Sequence, residues 1–169
     1  GPAFRILAVK DSCDAWGMLV TSFENQEGAF QLLDEKEGAK LCGFEKPILP
    51  FGSLKAAVSA AVIEALFGYG SSRAVIRYTF SKNSSAITVS LRLWWMDVQK
   101  MAKLSVPTVL RDGKAAGETL FGTREMEVTG RENVAGKYVI LEDEKGGICA
   151  AGDSGYGSSA KDGELRLTL

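Results

Sequence analysis

Residues 73–96 read RAVIRYTFSKNSSAITVSLRLWWM, and the alternation within them decides the fold. Ala74, Ile76, Tyr78 and Phe80 fall on one face of a first arm, with Val75, Arg77 and Thr79 on the other, which is the period of two of a half-buried strand. In the second arm Ile87, Val89, Leu91, Leu93 and Trp95 face one way, and Thr88, Ser90, Arg92, Trp94 and Met96 the other. The polar stretch Ser81-Lys82-Asn83-Ser84-Ser85 between them is rich in turn formers, so the segment predicts an antiparallel hairpin on whose apolar face the rest of the chain packs.

Outward from the hairpin the same rhythm recurs about every ten residues. Phe4–Val9, Trp16–Phe23, Ala29–Leu33 and Ala39–Phe44 read as strands, separated by turns at Asp11-Ser12, Asn25–Gly28 and Asp34–Gly38. After Pro47 and Pro50, Ser53 is placed to cap a helix to about Phe67, with Leu54, Val58 and Val62 at i, i+4 spacing among alanines. The same letters also allow a buried strand at Val62–Phe67, because periodicity does not separate the two in a short apolar run. Val98, Met101 and Leu104 suggest a turn or two of helix before Pro107. Beyond it, Thr108–Leu110, Glu118–Phe121, Arg124–Thr129, Lys137–Leu141, Ile148–Ala151 and Glu164–Leu169 are candidate strands, with Asp112-Gly113 and Asp162-Gly163 as hairpin turns and Gly152–Ser159 as a glycine-rich surface loop. The expectation is a mainly β protein, an antiparallel β-sandwich with one or two flanking α-helices, or alternatively an α+β fold. With no repeat and no linker in view, residues 3–169 are read as a single domain. Gly1-Pro2 has the form of the scar left when a protease removes an expression tag.

Composition narrows the function classes. The 20 basic residues balance 21 acidic ones, so nothing draws the chain to polyanions and no nucleic acid partner is expected. No apolar run approaches the roughly 20 residues of a transmembrane helix; Ala60–Phe67, with Glu64 inside it, comes nearest. Cys13, Cys42 and Cys149 are too few and too far apart for a zinc site or a complete disulfide framework, leaving three buried thiols or one bridge and one free thiol. Gly152-Asp153-Ser154-Gly155 copies the surroundings of a chymotrypsin-like nucleophile, but the chain contains no His to accept the serine proton. The same lack removes most zinc, haem and non-haem iron sites, so no catalytic residue, metal or cofactor is assigned. Paired carboxylates are the one catalytic arrangement left open, and Asp97, directly after two tryptophans, is the acidic residue of first interest.

Trp94-Trp95 carries more information. Unbroken alternation sends Trp95 to the core and leaves Trp94 beside Thr88, Ser90 and Arg92, where either a second layer covers it or it lies exposed to stack on a sugar ring, hold a cationic headgroup or meet a membrane interface. Asn83-Ser84-Ser85 in the turn is an N-glycosylation sequon, which points weakly to secretion.

Taken in order, Ile6–Val9, the Asp11-Ser12 turn, Trp16-x-x-Leu19-x-x-x-Phe23, the Ala-rich Ala56–Phe67, Ala74–Ser81, Trp94-Trp95 and Gly155-Tyr156-Gly157 before a final strand resemble the actinoporin-like proteins. These are sandwich-fold cytolysins whose wider clan includes fungal fruit-body lectins. The resemblance implies a strand at Ala56–Phe67, against the helix propensity, and carries over Ser81, Trp94 and Trp95 as ligand-binding positions, joined by Arg92 from its place beside Trp94. Ser81 departs from the family pattern, being followed by Lys82-Asn83-Ser84-Ser85 instead of Val-Pro and an aromatic loop. No counterpart of the family's tyrosine cluster lies between Asp97 and Phe121, and with strand beginning at Phe4 no pore-forming N-terminal helix is expected. The reading is therefore a non-catalytic, secreted binding protein that recognises a glycan, lipid headgroup or cell surface. The alternatives are a pathogen effector or other domain binding a host protein, and a carboxylate-dependent glycosidase-like enzyme.

Overall fold

A computed structural model describes residues 4–11, 22–42, 60–111, 113–153 and 155–169. In chain order the elements are β1 (Arg5–Lys10), β2 (Gln26–Ala29), β3 (Gln31–Leu32), α1 (Glu35–Cys42), β4 (Ala60–Tyr69), β5 (Ser72–Ser81), β6 (Ile87–Trp94) and β7 (Lys100–Pro107). There follow β8 (Lys114–Thr119), β9 (Gly122–Met126), β10 (Asn133–Val134), β11 (Tyr138–Asp143), β12 (Gly146–Ala151), β13 (Gly157–Lys161) and β14 (Glu164–Thr168). Among the described residues all pairings are antiparallel, so the mainly β fold class read from the sequence is the one observed. The chain divides into two compact units, Gly1–Ala29 with Val98–Leu169, and Phe30–Asp97.

The first unit is a sandwich. Its six-stranded sheet runs β10-β13-β14-β7-β1-β2, and its four-stranded sheet runs β12-β11-β8-β9. Val106, Ala160 and Leu165 from the former meet Ala115, Met126, Val139 and Leu141 from the latter in one buried cluster. Strand β1 lies between β7 and β2, and its run Ile6-Leu7-Ala8-Val9 is buried throughout, as an interior strand enclosed on both faces requires. The β13–β14 hairpin closes on Asp162-Gly163 with φ of 49° and 77°, both left-handed, as the type I′ turn expected of that dipeptide demands.

The second unit is a four-stranded sheet, β3-β4-β5-β6, with α1 as the one helix among its described residues. Strand β4 pairs with β5 over its whole length, from Ala60↔Ser81 to Tyr69↔Ser72, and β5 pairs with β6 from Phe80↔Ile87 to Arg73↔Trp94. The predicted hairpin is thus present with its polar turn at residues 82–86.

Several local expectations are corrected. The helix does not extend over residues 60–67, which belong to strand β4 as the alternative reading of Val62–Phe67 has it, and residues 53–59 lie outside the described residues. Alanine's helix propensity, worth only tenths of a kcal/mol per residue, loses to a ten-residue ladder on β5. The helical turns suggested by Val98, Met101 and Leu104 are not formed: Val98 lies in a bend, and Met101 and Leu104 belong to strand β7, held between β1 and β14. Asn25–Gly28 is mostly strand β2 and not a turn. Asp34–Gly38 and Ala39–Phe44, read as turn and strand, instead give α1, whose Glu37 N–H donates to Asp34 Oδ1 at 2.8 Å in an N-cap; residues 43 and 44 lie outside the described residues. Thr108–Leu110 is no strand, because the Thr108 hydroxyl donates to Gly163 O and accepts from Leu110 N–H, diverting the backbone from a ladder. The β8–β9 turn falls on Leu120-Phe121, both exposed at the hairpin tip, where Glu118–Phe121 was read as strand. Cys149 is free and exposed on β12 and not buried. Cys13, Asp112 and most of the Trp16–Phe23 strand lie outside the described residues, although Ser22 bridges to Arg131.

Candidate functional site

In the second unit, alternation along β6 separates the two tryptophans. Trp94 is 48% exposed and sits on the face shared with Arg92 and, directly across the β5–β6 ladder, Arg73. The Arg73 guanidinium is held in place, its Nη1 donating to Gly70 O at 2.9 Å and Ser72 O at 2.8 Å. Further along the same face Arg77 pairs with Glu64 at 2.7 Å. Trp95 turns to the opposite face and stacks on Phe30, with ring centroids 6.2 Å apart, while Phe30 also meets Tyr69 at 5.8 Å. The structure therefore brings Trp94 and Arg92 together and makes Trp95 part of an aromatic packing cluster. Ser81 lies eight residues from Arg73 along β5, roughly 27 Å at a strand's rise, and is remote from both tryptophans.

Asp97 has a structural partner. The buried Ser72 hydroxyl donates to its carboxylate and accepts from Met96 N–H at 2.9 Å, which fixes the chain as it leaves β6. Ser154, the centre of the nucleophile-like tetrapeptide, lies outside the described residues.

A second place was not foreseen from sequence. The polar face of the six-stranded sheet carries a cavity of about 470 Å³, within the roughly 300–1,000 Å³ range of small-molecule sites. Arg5, Lys161 and Arg166 line its sheet side, Thr108 and Arg111 come from the β7–β8 connection, and Phe23 and Glu24 close it from before β2. Glu164 is the hub of the sheet side. It takes Arg166 at 2.8 Å, Arg5 at 3.6 Å and the hydroxyl of Ser105. Burial pushes its carboxyl up, but the bonds from Arg166 and Ser105 and the charges of Arg166 and Arg5 outweigh that and hold it below the usual range. Lys161 Nζ, also on the sheet side, lies 3.1 Å from Glu24. Gly130 permits that pair: its φ is 88°, and a Cβ there would overlap the Glu24 carboxylate and come within 3.0 Å of Lys161 Cδ.

Deeper in the same unit, Lys103 is fully buried. Its Nζ meets Glu132 at 2.6 Å and Thr168 Oγ1 at 2.9 Å and lies 5.6 Å from the centre of the Phe23 ring. Burial pulls the ammonium below its ordinary value, the bond and charge of Glu132 push it back in part, and the Arg166 charge adds to the lowering. Charges spread singly over β1, β7, β13 and β14 give no local motif, so only the signal of polar letters at alternate positions in otherwise apolar strands was available.

Among the described residues no group of three His, Cys, Asp or Glu is placed to hold a metal, and no helix is long and apolar enough to cross a membrane. Fold and surfaces together define an antiparallel β-sandwich chain with exposed aromatic and charged polar sites. Residues 48–169 match the model of the glycosyl hydrolases family 38 C-terminal domain, and the chain belongs to that family. No actinoporin or lectin family model matches; what that resemblance shares with the chain is the β-rich architecture. No curated protein matches the chain.

Proposed function

We propose that this chain is the sugar-contacting accessory part of a family 38 glycosyl hydrolase, with Trp94 as the stacking surface and Arg92 and Arg73 as flanking donors. The observation that carries the reading is an indole left 48% exposed at the end of the sheet's edge strand β6, with an arginine directly across the ladder. An aromatic face flanked by donors suits a pyranose ring, whose C–H faces pack on indole while its hydroxyls take hydrogen bonds. From the actinoporin and lectin resemblance the reading keeps one element, an aromatic strand end as the place of contact, and with it a secreted setting. In this reading the chain performs no bond cleavage. Glu164, the carboxyl held by Arg166 and Arg5, lies below its ordinary value, whereas the acid of a glycoside hydrolase is held above it.

A glycan array and phosphatidylcholine liposomes, each with the wild type and Trp94→Ala, test it. Binding to neutral oligosaccharides that Trp94→Ala abolishes at an unchanged melting temperature is the expected result. Liposome binding without glycan binding would replace the sugar by a headgroup, and turnover of aryl glycosides by the isolated chain would overturn the accessory role.

A second reading, a protein partner, is favoured by one observation. Ile63, Phe80 and Ile87 lie on the same face in adjacent rows of the β4–β6 ladder and are all exposed. Its mark is an association that Ile87→Asp removes and that Trp94→Ala does not.

A further inference from the structure

We propose that the cavity on the polar face of the six-stranded sheet is a binding site for a small polyol carrying one anionic group, such as a sugar acid or a sugar phosphate. The proposal concerns the first unit only and does not depend on the Trp94 surface.

The lining charges argue for this class. Four cations, Arg5, Arg111, Lys161 and Arg166, face three carboxylates, Glu24, Asp162 and Glu164, so the cavity carries one excess positive charge. Three of the cations lie in ion pairs with two of the carboxylates, Arg5 and Arg166 with Glu164 and Lys161 with Glu24, while Asp162 is in no ion pair among the described residues. Among the cations Arg111 is the exception. Its Nη1 donates to the backbone oxygen of Asp162 at 2.8 Å, and it has no ion pair among the described residues. That single bond fixes the guanidinium at the cavity wall and leaves its other donors for a ligand's carboxylate or phosphate, which a planar guanidinium grips through two parallel bonds.

The matched pairs suit the remainder of such a ligand. A hydroxyl group both donates and accepts, so it bridges a carboxylate and its neighbouring cation without separating them. Glu24 with Lys161 and Glu164 with Arg166 offer two such places in the cavity lining. Phe23 and Pro107 add apolar surface for the carbon skeleton. The arrangement is built before any ligand arrives, since Gly130 makes room for the Glu24–Lys161 pair and Ser105 and Arg166 fix Glu164.

Titration calorimetry of the whole chain with glucuronate, glucose 6-phosphate, glucose and inorganic phosphate tests the proposal. Both anionic sugars are expected to bind at least ten-fold more tightly than glucose and than inorganic phosphate. Arg111→Gln should cut their affinity about ten-fold at an unchanged melting temperature, and Lys161→Gln should weaken them and glucose alike. Preference between the two anionic sugars identifies the source of the negative group. Glucose binding as tightly as glucuronate, inorganic phosphate binding as tightly as the sugar phosphate, or no heat from any of the four would overturn it. Should Arg111→Gln fail to fold, chemical-shift mapping of glucuronate onto the wild type takes its place, with shifts away from residues 108–111 and 161–166 counting against the site.

Discussion

Trp94 stands directly opposite Arg73 across the β5–β6 ladder, while the next residue, Trp95, points to the other face and stacks on Phe30. Two adjacent indoles thus have unrelated duties. Trp94→Ala should change stability by no more than about 0.5 kcal/mol, as surface substitutions usually do. Trp95→Ala, which removes a partner of Phe30, should cost about 2 kcal/mol or more. Urea unfolding of both variants checks the pair, and equal losses would mean that Trp94 is also a packing residue.

Ser72 is buried and serves two partners, donating to Asp97 and accepting from Met96 N–H. Ser72→Ala leaves a carboxylate and a backbone donor unsatisfied together, for which about 1–3 kcal/mol of destabilisation is expected. Thermal melts should also show Asp97→Ala to be milder, since the Ser72 hydroxyl then keeps Met96 and loses only one bond.

The acid side of the stability profile should carry the signature of Glu164. Its folded carboxyl lies below the ordinary 4.5, so its contribution is complete above about that pH and is lost as pH falls through the folded value. Glu164→Gln should therefore lower stability at pH 6 and flatten its further decline below pH 4.5, as read from urea midpoints across a pH series. A variant whose decline matches that of the wild type would show that the ion pairs to Arg166 and Arg5 contribute nothing.

Lys103 and Glu132 form an ion pair in which the lysine is wholly removed from water. Lys103→Ala should cost about 3–5 kcal/mol, because Glu132 loses its countercharge and the cavity left behind is not refilled. The double variant Lys103→Met/Glu132→Met should recover most of that loss, since well-packed apolar side chains replace a buried pair at little net cost. Urea unfolding of the single and double variants separates the two outcomes, and a double variant no more stable than the single one would contradict this account.

Where one face of a strand is covered and the other is not, local letters were enough. Residues 74–80 and 87–95 alternate without a break, and the register Phe80↔Ile87 to Arg73↔Trp94 follows from the short polar turn between them. Asp162-Gly163 likewise named its own turn, since both φ values are left-handed and that dipeptide tolerates them. Propensity misleads where a segment's partners lie far along the chain. Ala60–Tyr69 and Lys100–Pro107 contain good helix formers, but each lies in a sheet between two neighbouring strands, and ladder bonds along a whole strand exceed a few tenths of a kcal/mol per residue. Asp34–Cys42 goes the other way, since Asp34, a turn former, caps a helix there.

The sequence by itself determined the antiparallel β class, the parting of Trp94 from Trp95 and the lack of imidazole chemistry, for each depends on neighbouring letters or on composition alone. Only the tertiary structure decided that Ser81 lies far from the tryptophans and that Arg111, Lys161, Glu24 and Glu164 share a cavity. Those residues are separated by up to 140 positions in the chain, from Glu24 to Glu164, and sheet pairing between distant strands sets their distances, which no local pattern encodes.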